Sequence, residues 1–149
     1  TPNAEPYRWL SVPRWHLWEG GFLLTARAQG VVPTHTHHAI QIVIALDGWL
    51  AISGQADGWN ESRGFVVRPD AAHSFDCNGA LGVMLFVDPE SSDGAWLSAS
   101  LRQDITTVPE ARLNATVPAL RAFADVYRHP VRVACATLPW RTLKSALGD

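Results

Sequence analysis

Between about Tyr7 and Asp88 the apolar residues come in short runs. Gly, Pro, Asn or Asp breaks them about every 8–12 residues, the spacing of a β-sandwich or barrel. Trp15–Trp18 and Phe22–Arg27 flank Glu19-Gly20-Gly21, where glycine supplies the positive φ of a tight hairpin. Ala39–Leu46 and Trp49–Ser53 flank Asp47-Gly48, a type I′ signal and the clearest hairpin expectation in the chain. Gly64–Arg68 is a short strand ending at Pro69, and His73–Cys77 is another, closed by Asn78-Gly79. Leu81–Val87 has the continuous apolar character of a buried strand and stops at Asp88-Pro89.

After Pro89 the pattern turns helical. Ser92 or Asp93 can cap a helix running to about Gln103. Thr116 is expected as the N-cap of a second helix, with Pro118 in the first turn, where its missing N–H is harmless. Leu120, Phe123, Ala124 and Tyr127 then fall at i, i+3, i+4 and i+7 on one apolar face, and His129-Pro130 ends the helix. That face needs a cover, either the outside of the barrel or a second copy of the chain. A last helix is expected from about Pro139 to Leu147, with Leu143 and Leu147 on one face and Gly148 as its stop.

Composition narrows the function classes. A chain of 149 residues with 47% hydrophobic and 17% charged residues is one globular domain and not a disordered segment. Net charge is -2, and Lys144 is the only lysine, so this chain lacks the basic cluster that grips nucleic acid. Cys77 and Cys135 make no disulfide framework and fit a reducing cytoplasm. No apolar run approaches the roughly 20 residues that span a bilayer, and residues 1–6 have no signal-peptide character. The chain opens on Thr1 and not on Met, as a piece of a longer protein would.

Side chains alternate along an extended segment, so His35, His37 and Gln41 point one way, with Val43 and Ala45 continuing that face toward a barrel interior. Thr34, Thr36 and His38 point the other way. On the later strand His73, Phe75 and Cys77 share a face. If the two strands are neighbours, His35, His37, Gln41 and His73 converge. Three imidazoles and an amide oxygen suit one divalent ion, Zn, Fe, Mn or Ni. The other reading is a polar interior of hydrogen-bonded histidines without metal. Cys77 is either a soft ligand or a small core residue, and Cys135 is most simply core. Trp15, Trp18, Trp49 and Trp59 offer aromatic walls for a flat or apolar ligand, against ordinary packing. Arg27 and Arg68 could meet an anionic effector or make surface ion pairs.

The order of these features resembles the cupin family. The first cupin motif matches Gly30, His35-Thr36-His37, Gln41 and Gly48, and the second matches Gly64, Pro69 and His73. Gln41 stands where the family has a glutamate, Ala71 where it has a glycine, and Cys77 where it has an asparagine. A neutral amide oxygen is a poorer metal ligand than a carboxylate. Three stretches narrow the resemblance: His35 to Gly48, Val67 to Phe75, and Leu85 to Ser91. They look like the N-terminal sensor domain of AraC-type transcriptional regulators.

The resemblance implies a mainly β fold, a cupin-like β-barrel (double-stranded β-helix) over 7–90, followed by a helical dimerisation and linker segment over 91–149. It implies a small-molecule effector bound in the barrel by His35, His37, Gln41, His73, Phe75, Cys77 and Trp49. The first two histidines, Gln41 and His73 would be the metal set. It further implies a homodimer and a DNA-binding domain of two helix-turn-helix motifs beyond Asp149. Such a protein is a cytoplasmic regulator with no membrane segment, and not an enzyme. The alternatives are a small metal-dependent cupin enzyme (dioxygenase, isomerase or decarboxylase), with His38 and Asp70 as adjacent base candidates, and a purely structural module.

Overall fold

The computed structural model describes residues 5–56 and 58–126. Eleven strands and two helices follow in the order β1 (Arg8–Trp9), β2 (Arg14–Trp18), β3 (Gly21–Gln29), β4 (Val31–His35), β5 (Ile40–Ala45), β6 (Leu50–Gly54), β7 (Asn60–Ser62), β8 (Gly64–Val67), β9 (His73–Asp76), β10 (Leu81–Val87), α1 (Ser92–Ser100), β11 (Ile105–Thr107) and α2 (Glu110–Val126). A seven-stranded sheet runs β1-β3-β10-β5-β8-β11, with β2 also on β3, and a four-stranded sheet runs β4-β9-β6-β7. The chain changes sheet at β3–β4, β4–β5, β5–β6, β7–β8, β8–β9 and β9–β10. This is the expected cupin-like architecture.

One expectation is corrected by that topology. β5 and β6 flank Asp47-Gly48 but do not pair: β5 lies between β10 and β8, and β6 between β9 and β7. Asp47-Gly48 is a corner between the sheets, not a hairpin turn. Gly48 has φ +68, which supplies the sharp reversal. The Asp47 carboxylate does other work: Oδ1 accepts from the Leu81 amide at 2.7 Å, and Arg27 donates to Oδ2 at 2.7 Å and to Oδ1 at 3.3 Å. The same guanidinium donates to the Gly79 carbonyl at 2.7 Å. These bonds pin the β5–β6 corner to β3 and to the start of β10.

β5 shows why a continuous apolar run was needed. Ile40, Ile42 and Ile44 face outward into a core shared with Leu97 of α1 and with Leu113, Val117 and Leu120 of α2. Val43 and Ala45 face inward with Leu24, Phe65, Phe75, Cys77 and Met84. Both faces are buried, so the strand reads as hydrophobic at every position but Gln41.

The helices depart from expectation at their ends. α1 is capped by Ser91, whose Oγ accepts from the Gly94 amide at 3.0 Å, and it stops at Ser100. Gly94 sits against the Asp88 carbonyl so closely that a Cβ would collide with it. α2 begins at Glu110, not at Thr116, and carries Pro118 in its interior. Thr116 donates its hydroxyl to the Arg112 carbonyl at 2.8 Å, so it serves the helix from within. Pro118 deprives the Asn114 carbonyl of a donor, and both residues lie on the exposed side, where water can replace it. β11 was not expected: it returns from the helical segment to pair with β8. The described part of the α2 apolar face packs on the outside of the barrel. The side chains of Phe123, Ala124 and Tyr127, the stop at His129-Pro130, Cys135 and the helix expected at Pro139–Leu147 lie outside the described residues.

Candidate metal centre

β4 tolerates Pro33 because it is an edge strand. Its register against β9 shifts between Val32 and His35: Val32 faces Phe75 and His35 faces His73. That is three residues on β4 against two on β9, a bulge that restores inward parity for His35. His37 follows in the link to β5, and Gln41 occupies the first inward position of β5.

The cluster is compact. Ring centroids are 4.5 Å apart for His35 and His73, 5.0 Å for His37 and His73, and 5.6 Å for His35 and His37. One ligand atom from each histidine lies within 4.8 Å of the others. Each Nδ1 faces a backbone carbonyl: His35 to Pro33 at 2.8 Å, His37 to Ala39 at 2.8 Å, and His73 to Ala71 at 2.9 Å. A carbonyl only accepts, so each Nδ1 donates, and a neutral ring then carries a lone pair on Nε2. This is how second-sphere carbonyls orient metal-ligating histidines.

Gln41 sharpens the point. Its Oε1 lies 3.0 Å from His37 Nε2 and 2.9 Å from His73 Nε2. An acceptor oxygen facing two lone pairs is repulsive. A cation among them, an added proton, or an amide turned to donate its NH₂ to both rings removes the repulsion. The added proton is disfavoured at His73: burial drives its pKa down to about 4, the Ala71 carbonyl opposes this, and the charges of His35 and His37 add to the lowering. Ligand atoms at right angles on an ion bound at about 2.1 Å are roughly 3 Å apart, so Nε2 of His37, Nε2 of His73 and the Gln41 oxygen fit a metal. His73 and Gln41 are buried, while His35 and His37 are half-buried at the mouth.

The remaining expected residues separate. Phe75 sits beneath the cluster, 6.4 Å from His73 and 6.3 Å from His35 between ring centroids. Cys77 lies past the other end of β9, fully buried, and burial reinforced by the Asp76 charge pushes its thiol up to about 12. Trp49 follows the Asp47-Gly48 corner, at the end of β5 opposite Gln41, and is exposed. Neither is brought to the histidines. Arg27 is engaged by Asp47 and Arg68 by Asp104 at 3.5 Å, so neither waits for an effector. His38 is turned to Asp70 at 3.1 Å and Glu90 at 4.0 Å, outside the barrel.

Two aromatic residues escaped the sequence reading. Phe22 and Phe86 stand opposite each other, and Phe86 stands opposite Gln41, in one row across β3, β10 and β5. Their rings stack at 4.7 Å, Phe86 meets His37 edge-on at 5.4 Å, and Trp15 continues the strip at 5.5 Å from Phe22. Alternation along Leu81–Val87 gives the parity of Phe86, but only the register places it beside Gln41.

The two facing sheets, with histidines on the inner face, have a cupin-like architecture. The chain matches no protein-family model and no curated protein. Among solved structures, a cupin-2 domain protein from Shewanella frigidimarina aligns with 54% of this chain and 82% of its own, at 16% identity and TM-score 0.46. KdgF from Halomonas sp. aligns with 58% of this chain and 84% of its own, at 14% identity and TM-score 0.44. The AraC-like transcriptional activator CuxR aligns with 85% of this chain, at 10% identity and TM-score 0.58. That likeness spans half of the activator's own length.

Proposed function

We propose that this chain is the effector-sensing and dimerisation domain of an AraC-type transcriptional regulator, with a divalent metal ion and a small molecule bound in the barrel. The observation that carries the reading is the extent of the likeness to the AraC-like activator: at 85% of the chain it takes in helices as well as the barrel. The barrel over 7–90 is the sensor and the segment 91–149 is the dimerisation and linker part. DNA is reached through a further domain past Asp149. The metal is held by His35, His37, His73 and, weakly, Gln41, and supplies Lewis acidity and open coordination positions for a ligand.

The packing supports an output for the proposed sensor. β5 carries Gln41 on its inner face and Ile40, Ile42 and Ile44 on its outer face, in the same core as Leu113, Val117 and Leu120 of α2. Arg121 of α2 also donates to the Leu46 carbonyl. A ligand that shifts β5 therefore bears directly on α2, as coupling between sites requires. The enzyme reading draws on the same three imidazoles. Against it, His38 and Asp70 bond to each other at the exposed rim, and no carboxylate joins the histidine group among the described residues.

Sequencing the reading frame past Asp149 tests the proposal. About 100 further residues with two helix-turn-helix patterns are expected. A frame without them hands the lead to the enzyme reading.

A further inference from the structure

We infer that the ligand of this centre is a flat aromatic carboxylate, its carboxylate on the metal and its ring along the Phe86–Phe22–Trp15 strip. This rests on the metal-binding reading above and adds the ligand's charge and shape.

Charge comes from the donor set. Three neutral imidazoles and a neutral amide leave both positive charges of a divalent ion uncompensated beside the buried His73 and Gln41. An uncompensated charge in that setting is unfavourable, and an exogenous anion relieves it. Among the described residues none supplies one at the centre. At the same rim, Asp70 and Glu90 are directed to His38, with Asp70 Oδ2 at 3.1 Å from its Nδ1. Asp76 is buried, but it ends β9 beyond Phe75 with its Oδ1 accepting from the Asn78 amide.

Shape comes from the wall. Phe86 borders the ligand His37 edge-on, Phe22 stacks on Phe86 with planes 21° apart, and both are only partly buried. Leu17, opposite Phe22, extends that row, and Trp15, opposite Leu24, reaches it through its ring contact with Phe22; both are exposed to solvent. A ring lying along this strip makes offset or edge contacts, which favour an aromatic ligand over a puckered one of equal volume. The strip starts at a metal ligand and ends in water, so one planar anion can use both.

The test uses the full chain loaded with cobalt(II), whose visible absorption reports its coordination sphere. Benzoate, cyclohexanecarboxylate and benzamide are the probes, with affinities taken from absorption and from calorimetry. Benzoate is expected to change the cobalt spectrum and to bind about tenfold more tightly than cyclohexanecarboxylate, with benzamide weaker than both. Phe22→Leu should lower benzoate affinity about fivefold at unchanged cobalt content. Gln41→Glu should hold cobalt and lose at least about tenfold in benzoate affinity, because the new carboxylate occupies the anion's electrostatic role. Equal binding of the two carboxylates, benzamide matching benzoate, or a Gln41→Glu protein that binds benzoate as before overturns the inference. Cobalt bound without any carboxylate response overturns this inference alone, whereas failure to bind cobalt removes the metal reading with it.

Discussion

Metal-free protein should lose stability in mild acid through His73. In the unfolded chain its pKa returns to 6.5, and in the fold it is about 4 because the ring is buried. Between those values the unfolded state binds a proton that the folded state does not, so acidification favours unfolding. The stability held above pH 6.5 is therefore lost as pH falls toward 4, and below that both states are protonated. The full difference is about 3 kcal/mol, most of it gone by about pH 4.5. Urea unfolding followed by tryptophan fluorescence, with a chelator present, would measure it at pH 7.5, 6.0, 5.0 and 4.5. His73→Gln removes the titrating ring, so its stability should fall by about 2.5 kcal/mol less than that of the wild type between pH 7.5 and 4.5. Equal losses in the two proteins would refute the argument, because the acid sensitivity would then belong to other groups.

Zinc at about a hundred times its dissociation constant should stabilise the wild type by about 2.7 kcal/mol, read as a shift of the unfolding midpoint. His35→Ala combined with His37→Ala should abolish that shift and the bound metal found by elemental analysis. Asp47→Ala should cost about 2–3 kcal/mol, since the Leu81 amide loses its acceptor. Asp47→Asn keeps an oxygen for that amide and loses only a half-exposed ion pair, about 1 kcal/mol or less. Equal losses in the two Asp47 variants would place the stability in the ion pair instead. Gly94→Ala should destabilise the protein by several kcal/mol in chemical denaturation, because its Cβ has no room beside the Asp88 carbonyl, which is backbone and cannot swing away.

The strands were legible wherever a local signal sufficed. Leu81–Val87 matches β10 at both ends, and Trp15–Trp18 with Phe22–Arg27 form the expected β2–β3 hairpin. Asp47-Gly48 failed because a type I′ signal specifies a reversal but not the partner of the strand that follows. Which sheet receives β6 depends on β9, more than twenty residues later, and no local pattern carries that information. The start of α2 failed for a related reason. Thr116 and Pro118 look like an N-terminus in isolation, yet burial of Leu113 and Val117 on the outer face of β5 and β8 carries the helix about two turns further back.

The convergence of His35, His37 and His73 was legible because it rests on parity, the most reliable property of an extended chain. Yet parity alone would have misplaced His35, three residues from Val32 and so on the opposite face of a regular strand. The β4 bulge reverses that, and His35 meets His73 only because Val32 and Phe75 have already fixed the register. Two expected ligand-binding residues, Trp49 and Cys77, lie away from the histidines for a different reason. Cys77 shares the parity of His73 and Phe75 but lies at a different depth, past the end of β9 away from His73. Trp49 was chosen for its chemistry, with no positional argument. Parity says which face a side chain serves, and only pairing says how far along the barrel it acts. The residues missed, Phe22 and Phe86, satisfy both conditions through the row they share with Gln41. That row ties an aromatic surface to Gln41 beside the histidine cluster in one strand register, so moving β10 by two residues would remove the surface and leave the histidines in place.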